Sequence, residues 1–213
     1  SAGGQRNLPI ARPVSIMRLE KPHSLSYQLT TRTRPSEVTA VCGATSVKPP
    51  DGINVVSGVS AEAMYSAVMK ELPGKTVFVG AAAVADYRPK DVANTKIKKE
   101  KQDSISLELE KTKDILSEVS NNKPNGLTVV GFAAETNNVI EFAKTTLEKK
   151  KLDVVVANDI TKKGAGFNTD TNIATIIVRG NPGMIELPLM AKSELANKLL
   201  DEVLKLKTAR KSA

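Results

Sequence analysis

Aromatic side chains and cysteine are scarce in this chain of 213 residues. Tryptophan is absent and aromatic residues make up 3% of the sequence, so the stacking platforms that bind single-stranded nucleic acids are few. The single cysteine, Cys42, excludes an internal disulfide framework and is better interpreted as a small buried residue than as a nucleophile. The single histidine, His23, has no partners at metal-ligand spacing, and we assign it no role.

Long apolar runs are also missing. No run approaches the roughly 20 residues of a membrane-spanning helix, and no signal peptide is visible at the N-terminus. We therefore expect a cytoplasmic protein without membrane contact.

Acidic residues are outnumbered, 23 against 31 basic ones, and the formal net charge of +8 favours anionic partners. A nucleotide polyphosphate and a phosphorylated substrate explain this excess as well as nucleic acid does, and the few aromatics argue against nucleic acid. Part of the excess lies near the two ends, where solubility or disorder is the default interpretation: Arg32, Arg34, Lys205, Lys207, Arg210 and Lys211.

Strand and helix signals alternate from about residue 37 onward, which is typical of a mainly parallel sheet covered on both faces. We predict a three-layer α/β/α fold with a Rossmann-like sheet in a single domain over residues 1–207, followed by a tail at 208–213. The predicted strands are 37–42, 76–82, 105–109, 127–132 and 152–157, and the predicted helices are 60–72, 114–119 and 139–147.

The C-terminal part predicts a β-hairpin. Residues 173–179 and 184–189 flank the turn sequence Gly-Asn-Pro-Gly at 180–183. Ser193 is the predicted N-cap of a final helix, just as Ser60 and Asp114 are predicted to cap earlier ones.

Residues 5–36 are an exception to this pattern. Pro9, Pro13, Pro22 and Pro35 interrupt any long element, and neither helical nor strand periodicity is visible. We expect poor order in this segment.

Residues 80–89 give the clearest sequence indication of a binding site. Their first letters, Gly-Ala-Ala-Ala-Val-Ala-Asp, bring small side chains and then Asp86 to the end of a predicted buried strand, and Lys96 follows ten residues after Asp86. Small residues let a ligand approach the backbone, while Asp86 and the lysines offer opposite charges for a polyphosphate and its metal. The pattern indicates a nucleotide site at the carboxyl end of the strand. Tight strand packing would explain the small residues without a ligand, and a solvated face would explain the lysines.

Five segments, in this order and spacing, resemble bacterial phosphopantothenate-cysteine ligase: 81–89, 96–99, 130–136, 152–160 and 166–170. The resemblance covers residues 37 to 207. It implies an excised domain, because in most bacteria this ligase is the C-terminal half of a bifunctional flavoprotein of coenzyme A biosynthesis. It also implies a homodimer, normally fused to a decarboxylase domain, with no flavin in the ligase domain.

The resemblance implies a CTP-dependent, Mg²⁺-assisted ligation of 4'-phosphopantothenate to cysteine through an acyl-cytidylate. Such chemistry depends on positioning and charge neutralisation more than on a protein nucleophile. The implied nucleotide-binding residues are Gly80, Ala81, Ala82, Asp86, Lys96, Lys113, Asp114, Ile115, Leu116, Phe132 and Lys150, and Lys98 and Lys99 would belong to a flap. Structural roles compete with these: strand packing at 80–82, a helix cap at Asp114 and a core aromatic at Phe132.

The chain departs from the family in three places. Lys113 stands where a proline is usual, and Thr146 replaces a lysine one turn before Lys150. Residues 5–36 lack the family's active-site asparagine and its serine-rich Gly-Lys turn, although Ala2-Gly3-Gly4 keeps the preceding Gly-rich turn. We therefore name no catalytic residue and no metal ligand. Good matches on both sides suggest a displaced reading frame or a sequencing error, and we expect impaired turnover.

There are three alternative functions: a nicotinamide-dependent oxidoreductase, a catalytically impaired nucleotide-binding domain and a non-catalytic basic binding module. A nicotinamide-dependent oxidoreductase would need a G-x-G-x-x-G turn after its first strand, but Gln5 and Arg6 follow Ala2-Gly3-Gly4. A catalytically impaired nucleotide-binding domain, or a non-catalytic basic binding module, is the alternative that the altered N-terminal segment supports.

Overall fold

A computed structural model describes residues 14–18, 37–44, 49, 52–92, 106–135, 137–159, 161 and 169–212, with the backbone alone at 14–18, 135, 211 and 212. The strands are β1 (Val14–Arg18), β2 (Glu37–Cys42), β3 (Asn54–Ser57), β4 (Val77–Gly80), β5 (Tyr87–Pro89), β6 (Leu109–Lys111), β7 (Thr128–Glu135), β8 (Val154–Asp159), β9 (Thr171–Val178) and β10 (Met184–Ala191). The helices are α1 (Ala61–Glu71), α2 (Ile115–Asn121), α3 (Val139–Lys149) and α4 (Lys192–Ser212).

Eight of these strands form one sheet in the order β10-β9-β8-β7-β4-β1-β2-β3, and β5 pairs with β6 in a separate ribbon. The pairs β2–β3, β4–β7 and β7–β8 are parallel, whereas β1 is antiparallel to both of its neighbours and β9 is antiparallel to β8 and β10. All strands of this sheet except β1 and β9 therefore run in one direction. The prediction of a mainly parallel α/β sheet with a C-terminal hairpin is confirmed.

Helices cover both faces of the sheet because successive strand residues point to opposite sides. Phe78, Val129 and Val155 belong to the core beneath α1, α2 and α3. Their strand neighbours Val79 and Val130 belong to the second core, which α4 closes with Leu195, Leu199 and Val203. Strands buried on both faces need continuous apolar runs, which explains the valine-rich sequences of β4 and β8. The three predicted layers are present.

Two predicted helix starts are confirmed. The Ser60 hydroxyl accepts a hydrogen bond from the N–H of Ala63 at 3.1 Å, and an Asp114 carboxylate oxygen accepts one from the N–H of Ser117 at 3.0 Å. Each bond satisfies a backbone donor that the first helical turn leaves unpaired.

The predicted cap at Ser193 is wrong. The strand β10 passes directly into α4, which begins at Lys192, so Ser193 lies within its first turn. The same helix continues to Ser212 and includes most of the predicted tail.

Three smaller expectations also need correction. The strand β4 ends at Gly80 rather than at Ala82, and only Leu109 of the predicted strand 105–109 is in β6. Phe142 is 50% exposed although it follows the helical periodicity of α3, because the buried face of that helix is formed by Ala143 and Leu147.

The strand β1 corrects the expectation for residues 5–36, in which we predicted no regular element. Val14–Arg18 fills the place between β2 and β4, where both neighbours would otherwise have unpaired backbone groups. The sequence of this strand is short and has little alternation, so periodicity could not reveal it. The rest of this segment lies outside the described residues, and its predicted poor order stays a prediction.

A buried carboxylate joins α4 to the edge of the sheet where β7 and β8 begin. Asp153 is 1% exposed and accepts hydrogen bonds from the Val129 N–H at 2.7 Å, from Lys123 at 3.0 Å and from Arg210 at 2.6 Å. Burial would raise the pKa of Asp153, but the hydrogen bonds from Arg210, Val129 and Lys123 outweigh it and lower the pKa. Arg210 is thus an anchor of α4 and not merely a solubilising charge.

In the part of the chain that the structure describes, no helix combines the length and the apolar character that crossing a membrane requires.

We predict that Asp153→Asn lowers the free energy of unfolding by about 2 kcal/mol at pH 7, because hydrogen bonds to a charged group are lost. The folded-state pKa lies below the unfolded value, so the carboxylate stabilises fully above a pH of about 4 and loses this effect as pH falls through the folded-state pKa. Urea unfolding at pH 7 and pH 3 should therefore show a smaller difference between the two proteins in acid. Asp201→Asn, at an exposed position of α4, is the control and should change stability little. An equal effect of both substitutions would contradict the anchoring role.

Candidate functional site

A cleft opens at the carboxyl ends of β4 and β7. Its cavity volume is about 140 Å³, and it is open to solvent. Its lining consists of Phe78, Gly80, Ala82, Val84, Ala85, Asp86, Thr112, Lys113, Asp114, Ile115, Leu116, Phe132 and Lys150.

Most of the residues predicted to bind the nucleotide line this one cleft, although they come from four separate stretches of sequence. They are Gly80, Ala82, Asp86, Lys113, Asp114, Ile115, Leu116, Phe132 and Lys150. Ala81 is not among the lining residues. Lys96 and the two predicted flap residues, Lys98 and Lys99, lie outside the described residues.

The topology explains why the cleft lies here. From β3 to β8 the strand order is β3-β2-β1-β4-β7-β8. This is the 3-2-1-4-5-6 order of Rossmann sheets, once β5 and β6, which form the separate ribbon, are left out of the count. In such sheets ligands bind beyond the carboxyl ends of the strands, at the point where the strand order reverses. In this sheet the reversal falls between β1 and β4. Because β1 runs backwards, its carboxyl end faces the opposite edge, and β4 and β7 supply the strand ends at the cleft. A dinucleotide-type glycine turn following β1 therefore could not reach the cleft directly, which weighs further against the oxidoreductase.

Two glycines lie beneath the start of α2, and one of them, Gly80, lines the cleft. Gly80 of β4 and Gly131 of β7 are paired in register, and Leu116 of α2 packs on both. A Cβ atom at Gly131 would lie 2.8 Å from Leu116 Cδ2 and 2.7 Å from Leu152 Cδ1, and one at Gly80 would lie 3.2 Å from Leu116 Cδ1. The absent side chains let α2 approach the sheet closely. Gly80 thus has a packing role as well as a place in the lining.

The start of α2 forms one wall. Asp114 caps the helix through Ser117 and also accepts a hydrogen bond from Lys150 Nζ at 2.8 Å. Burial would raise the pKa of Asp114, but the hydrogen bonds from Lys150 and Ser117, with the positive charge of Lys150, lower it. Lys150 is therefore held in the cleft by a carboxylate that stays ionised at neutral pH.

Another part of the lining is formed around the β5–β6 ribbon. The Thr112 N–H donates to the Asp86 carbonyl oxygen at 2.9 Å, and the Thr112 hydroxyl donates to the carbonyl oxygen of Ala85. These bonds fix the backbone beside Asp86, whose exposed carboxylate makes no hydrogen bond or ion pair with any described residue. Thr112 was not among the predicted site residues, and the only sequence signal for it is its position directly before Lys113.

Lys113 contacts two side chains of α1, and these contacts were not predicted from the sequence. Its Nζ lies 4.1 Å from the centre of the Tyr65 ring and 3.5 Å from Glu62 Oε1. Arg88 of β5 approaches the other oxygen of Glu62 at 3.9 Å and bonds Glu110 at 2.7 Å. Both contacts of Lys113 are to residues about 50 positions away in the sequence.

The charges of the lining balance. Two lysines, Lys113 and Lys150, face two aspartates, Asp86 and Asp114, so the described lining is formally neutral. Among the described residues, no three His, Cys, Asp or Glu side chains are grouped as ligands for a metal ion. A polyanionic ligand would therefore need further positive charge.

Fold and cleft together define a Rossmann-like α/β domain with a cleft at the carboxyl end of β4, beside the strand-order reversal. The chain belongs to the family described as the C-terminal domain of the DNA/pantothenate metabolism flavoprotein, which it matches over residues 27–206.

Similar proteins agree with this assignment. The chain is 40% identical over 169 residues to the coenzyme A biosynthesis bifunctional protein CoaBC of Vibrio vulnificus, which covers 79% of this chain and 42% of that protein. It is 35% identical over 202 residues to CoaBC of Escherichia coli K12, covering 92% of this chain and 49% of that protein. The chain thus spans less than half the length of these relatives.

Solved structures show the same fold. The crystal structure of the C-terminal domain of CoaBC aligns with a TM-score of 0.65 at 33% identity, covering 82% of this chain and 75% of the other. The DNA/pantothenate metabolism flavoprotein from Streptococcus pneumoniae aligns with a TM-score of 0.58 at 19% identity, covering 76% and 77%. This second similarity concerns the fold alone.

We predict that Gly131→Ala destabilises the domain by about 1 to 3 kcal/mol, because the new methyl group overpacks the contact with Leu116 and Leu152. Chemical denaturation measures the effect. Gly183→Ala is the matched control, since a Cβ there would meet only Asn181 Oδ1 at 3.4 Å. Unchanged stability of Gly131→Ala would show that α2 does not depend on the glycine pair.

Proposed function

We propose that the cleft binds CTP and that the domain is the ligase of coenzyme A biosynthesis, joining 4'-phosphopantothenate to cysteine. The observation that carries this proposal is the convergence of the predicted nucleotide-binding residues on one cleft. The segments 80–86, 112–116, 132 and 150 are far apart in sequence and share this cleft. The similarity to CoaBC proteins supports the same pathway.

The proposed reaction has two steps. A carboxylate oxygen of 4'-phosphopantothenate attacks the α-phosphorus of CTP, the bond to the β-phosphate breaks and pyrophosphate leaves. The amine of cysteine then attacks the acyl carbon, the carbon–oxygen bond breaks, CMP leaves with the electron pair, and the amine loses a proton. Both steps join reactants that must be held in line, so the domain contributes mainly by positioning.

The residues of the cleft fit these tasks. Lys150 and Lys113 would bind phosphate oxygens, and the close backbone at Gly80 and Ala82 would admit the nucleotide. Phe132, partly buried in the lining, would pack against it. Lys96 is a further proposed phosphate-binding residue, and Lys98 and Lys99 remain the proposed flap.

Magnesium fits the lining. Mg²⁺ commonly binds through one or two carboxylates together with substrate phosphates. Asp86 offers one exposed carboxylate without a partner among the described residues, and the formally neutral lining leaves the charge of a triphosphate uncompensated. When bound, the ion would supply that compensating charge.

We also infer that the domain is normally fused to a decarboxylase domain in one chain, forms a homodimer and works in the cytoplasm, as the resemblance to the ligase family implies.

A second candidate is a nucleotide-binding domain with little ligase turnover. The specific observation in its favour is β1, which lies in the replaced segment and directs its carboxyl end away from the cleft. The segment also lacks the asparagine that the family uses to handle the acyl-cytidylate. Nucleotide contacts outside this segment would survive.

We predict that CTP with Mg²⁺ raises the melting temperature more than ATP with Mg²⁺ or NADPH at equal concentrations, since a ligand that binds only the folded state stabilises it by mass action. Duplex DNA should cause no shift beyond that of a matched polyanion. Equal shifts for CTP and ATP would remove the case for cytidine specificity.

Substitutions of single lysines test whether CTP binds in the cleft. Lys150→Gln should weaken CTP binding by about 1.5 to 3 kcal/mol in calorimetry, because a charge-assisted hydrogen bond is lost. Lys149→Gln is the control, since Lys149 is exposed and does not line the cleft.

Turnover is tested separately. With CTP, 4'-phosphopantothenate and cysteine supplied, we predict severely reduced release of pyrophosphate and CMP, because the N-terminal replacement removes the family's asparagine. Pyrophosphate without CMP would indicate activation that stalls before cysteine attack. Rapid formation of both products would contradict the expected impairment.

A further inference from the structure

The two lysines of the cleft are held in different ways. Lys150 donates a hydrogen bond to Asp114 at 2.8 Å, so one of its donors is engaged by a strong acceptor. Lys113 makes no hydrogen bond with any described residue, and its Nζ meets only the Tyr65 ring and, at 3.5 Å, Glu62. The ammonium of Lys113 is therefore positioned while at least two of its three N–H donors stay available.

The ring of Tyr65, over which Lys113 Nζ lies, is held in place by the core. Tyr65 lies on α1 and packs partly buried against the core that contains Met64 and Val68 of the same helix. A lysine side chain has four flexible carbons, and fixing it on a ligand costs rotamer entropy. An ammonium already seated on an aromatic face has less of this freedom to lose, and the ring, unlike a carboxylate, brings no formal charge that would repel phosphate.

Glu62 does not neutralise Lys113 fully. Its carboxylate is also approached by Arg88 at 3.9 Å, and the side chains of Glu62, Lys113 and Arg88 are all about half exposed. Water screens such pairs, so the contact contributes little binding to either cation. Positive charge at Lys113 remains available to a ligand in the cleft.

We propose that Tyr65 is a positioning residue that seats the Lys113 ammonium in the cleft wall, where Lys113 supplies a second phosphate-binding cation besides Lys150. This inference rests on the proposed binding of a nucleotide triphosphate in the cleft. It adds a residue of α1 that lies outside the cleft lining and outside every segment that carries the family resemblance.

The test is a double-mutant cycle with calorimetry of CTP–Mg²⁺ and of inorganic tripolyphosphate. Tyr65→Leu should weaken the binding of both ligands about two- to fivefold, the effect expected for loss of an exposed cation–π contact. Tyr65→Phe keeps the ring and should bind like the unchanged protein. Tyr65→Met is the second aliphatic variant, in case Tyr65→Leu does not fold, and melting curves confirm that each variant is folded.

Lys113→Gln should itself weaken binding, whereas its control Lys111→Gln should not, since Lys111 does not line the cleft. In the Lys113→Gln background the change Tyr65→Leu should have no further effect, because the ring then has no ammonium to seat. An equal loss in both backgrounds would assign Tyr65 to packing alone and overturn the inference.

The outcomes separate the two proposals. If the unchanged protein binds CTP and tripolyphosphate but neither Tyr65→Leu nor Lys113→Gln alters binding, the inference fails and the proposed function stands. If the unchanged protein binds neither ligand, the proposed function fails and the inference fails with it.

Discussion

The absence of two side chains, at Gly80 and Gly131, determines how the cleft is built. These glycines face each other across the parallel pair β4–β7, and Leu116 occupies the space above them. The helix α2 can therefore begin close to the sheet, which places the capped end with Asp114 beside the strand ends. A methyl group at Gly131 would displace the side chains of Leu116 and Leu152, because their Cδ atoms lie within 3 Å of where it would be. The packing of α2 against the sheet thus depends on this pair of residues, and Gly80 also lines the cleft.

The short helix α2 connects this cleft with the opposite edge of the sheet. At its start Asp114 holds Lys150, and just beyond its end Lys123 reaches the buried carboxylate of Asp153. Asp153 also receives Arg210 of α4 and the backbone of β7. Paired charges therefore hold both ends of the segment from 114 to 123, and a buried carboxylate of this kind is tolerated only because every partner is present. The position of the cleft wall is tied to the core through this segment.

The strand β1 differs from the strands that supply the candidate site residues. These residues come from β4, β7, α2 and the end of α3, all of which have the arrangement expected for a Rossmann-like sheet. The strand beside the strand-order reversal, β1, runs the other way. The nine candidate residues that line the cleft therefore lie outside this antiparallel strand.

Local and periodic signals were sufficient to predict much of this protein. Buried valine runs predicted β2, β4, β7 and β8, and side-chain oxygens before helical patterns predicted the caps at Ser60 and Asp114, because these features depend on neighbours within a few residues. The candidate site residues were also predicted, through the order of short motifs, and nine of them share the cleft. The tertiary structure alone decided the direction of β1, the seat of Lys113 on Tyr65 and the bond between Asp153 and Arg210, 57 residues apart. Such contacts join residues that are distant in the chain, and no local preference encodes which backbone group or charge will be brought opposite another when the sheet and its helices pack.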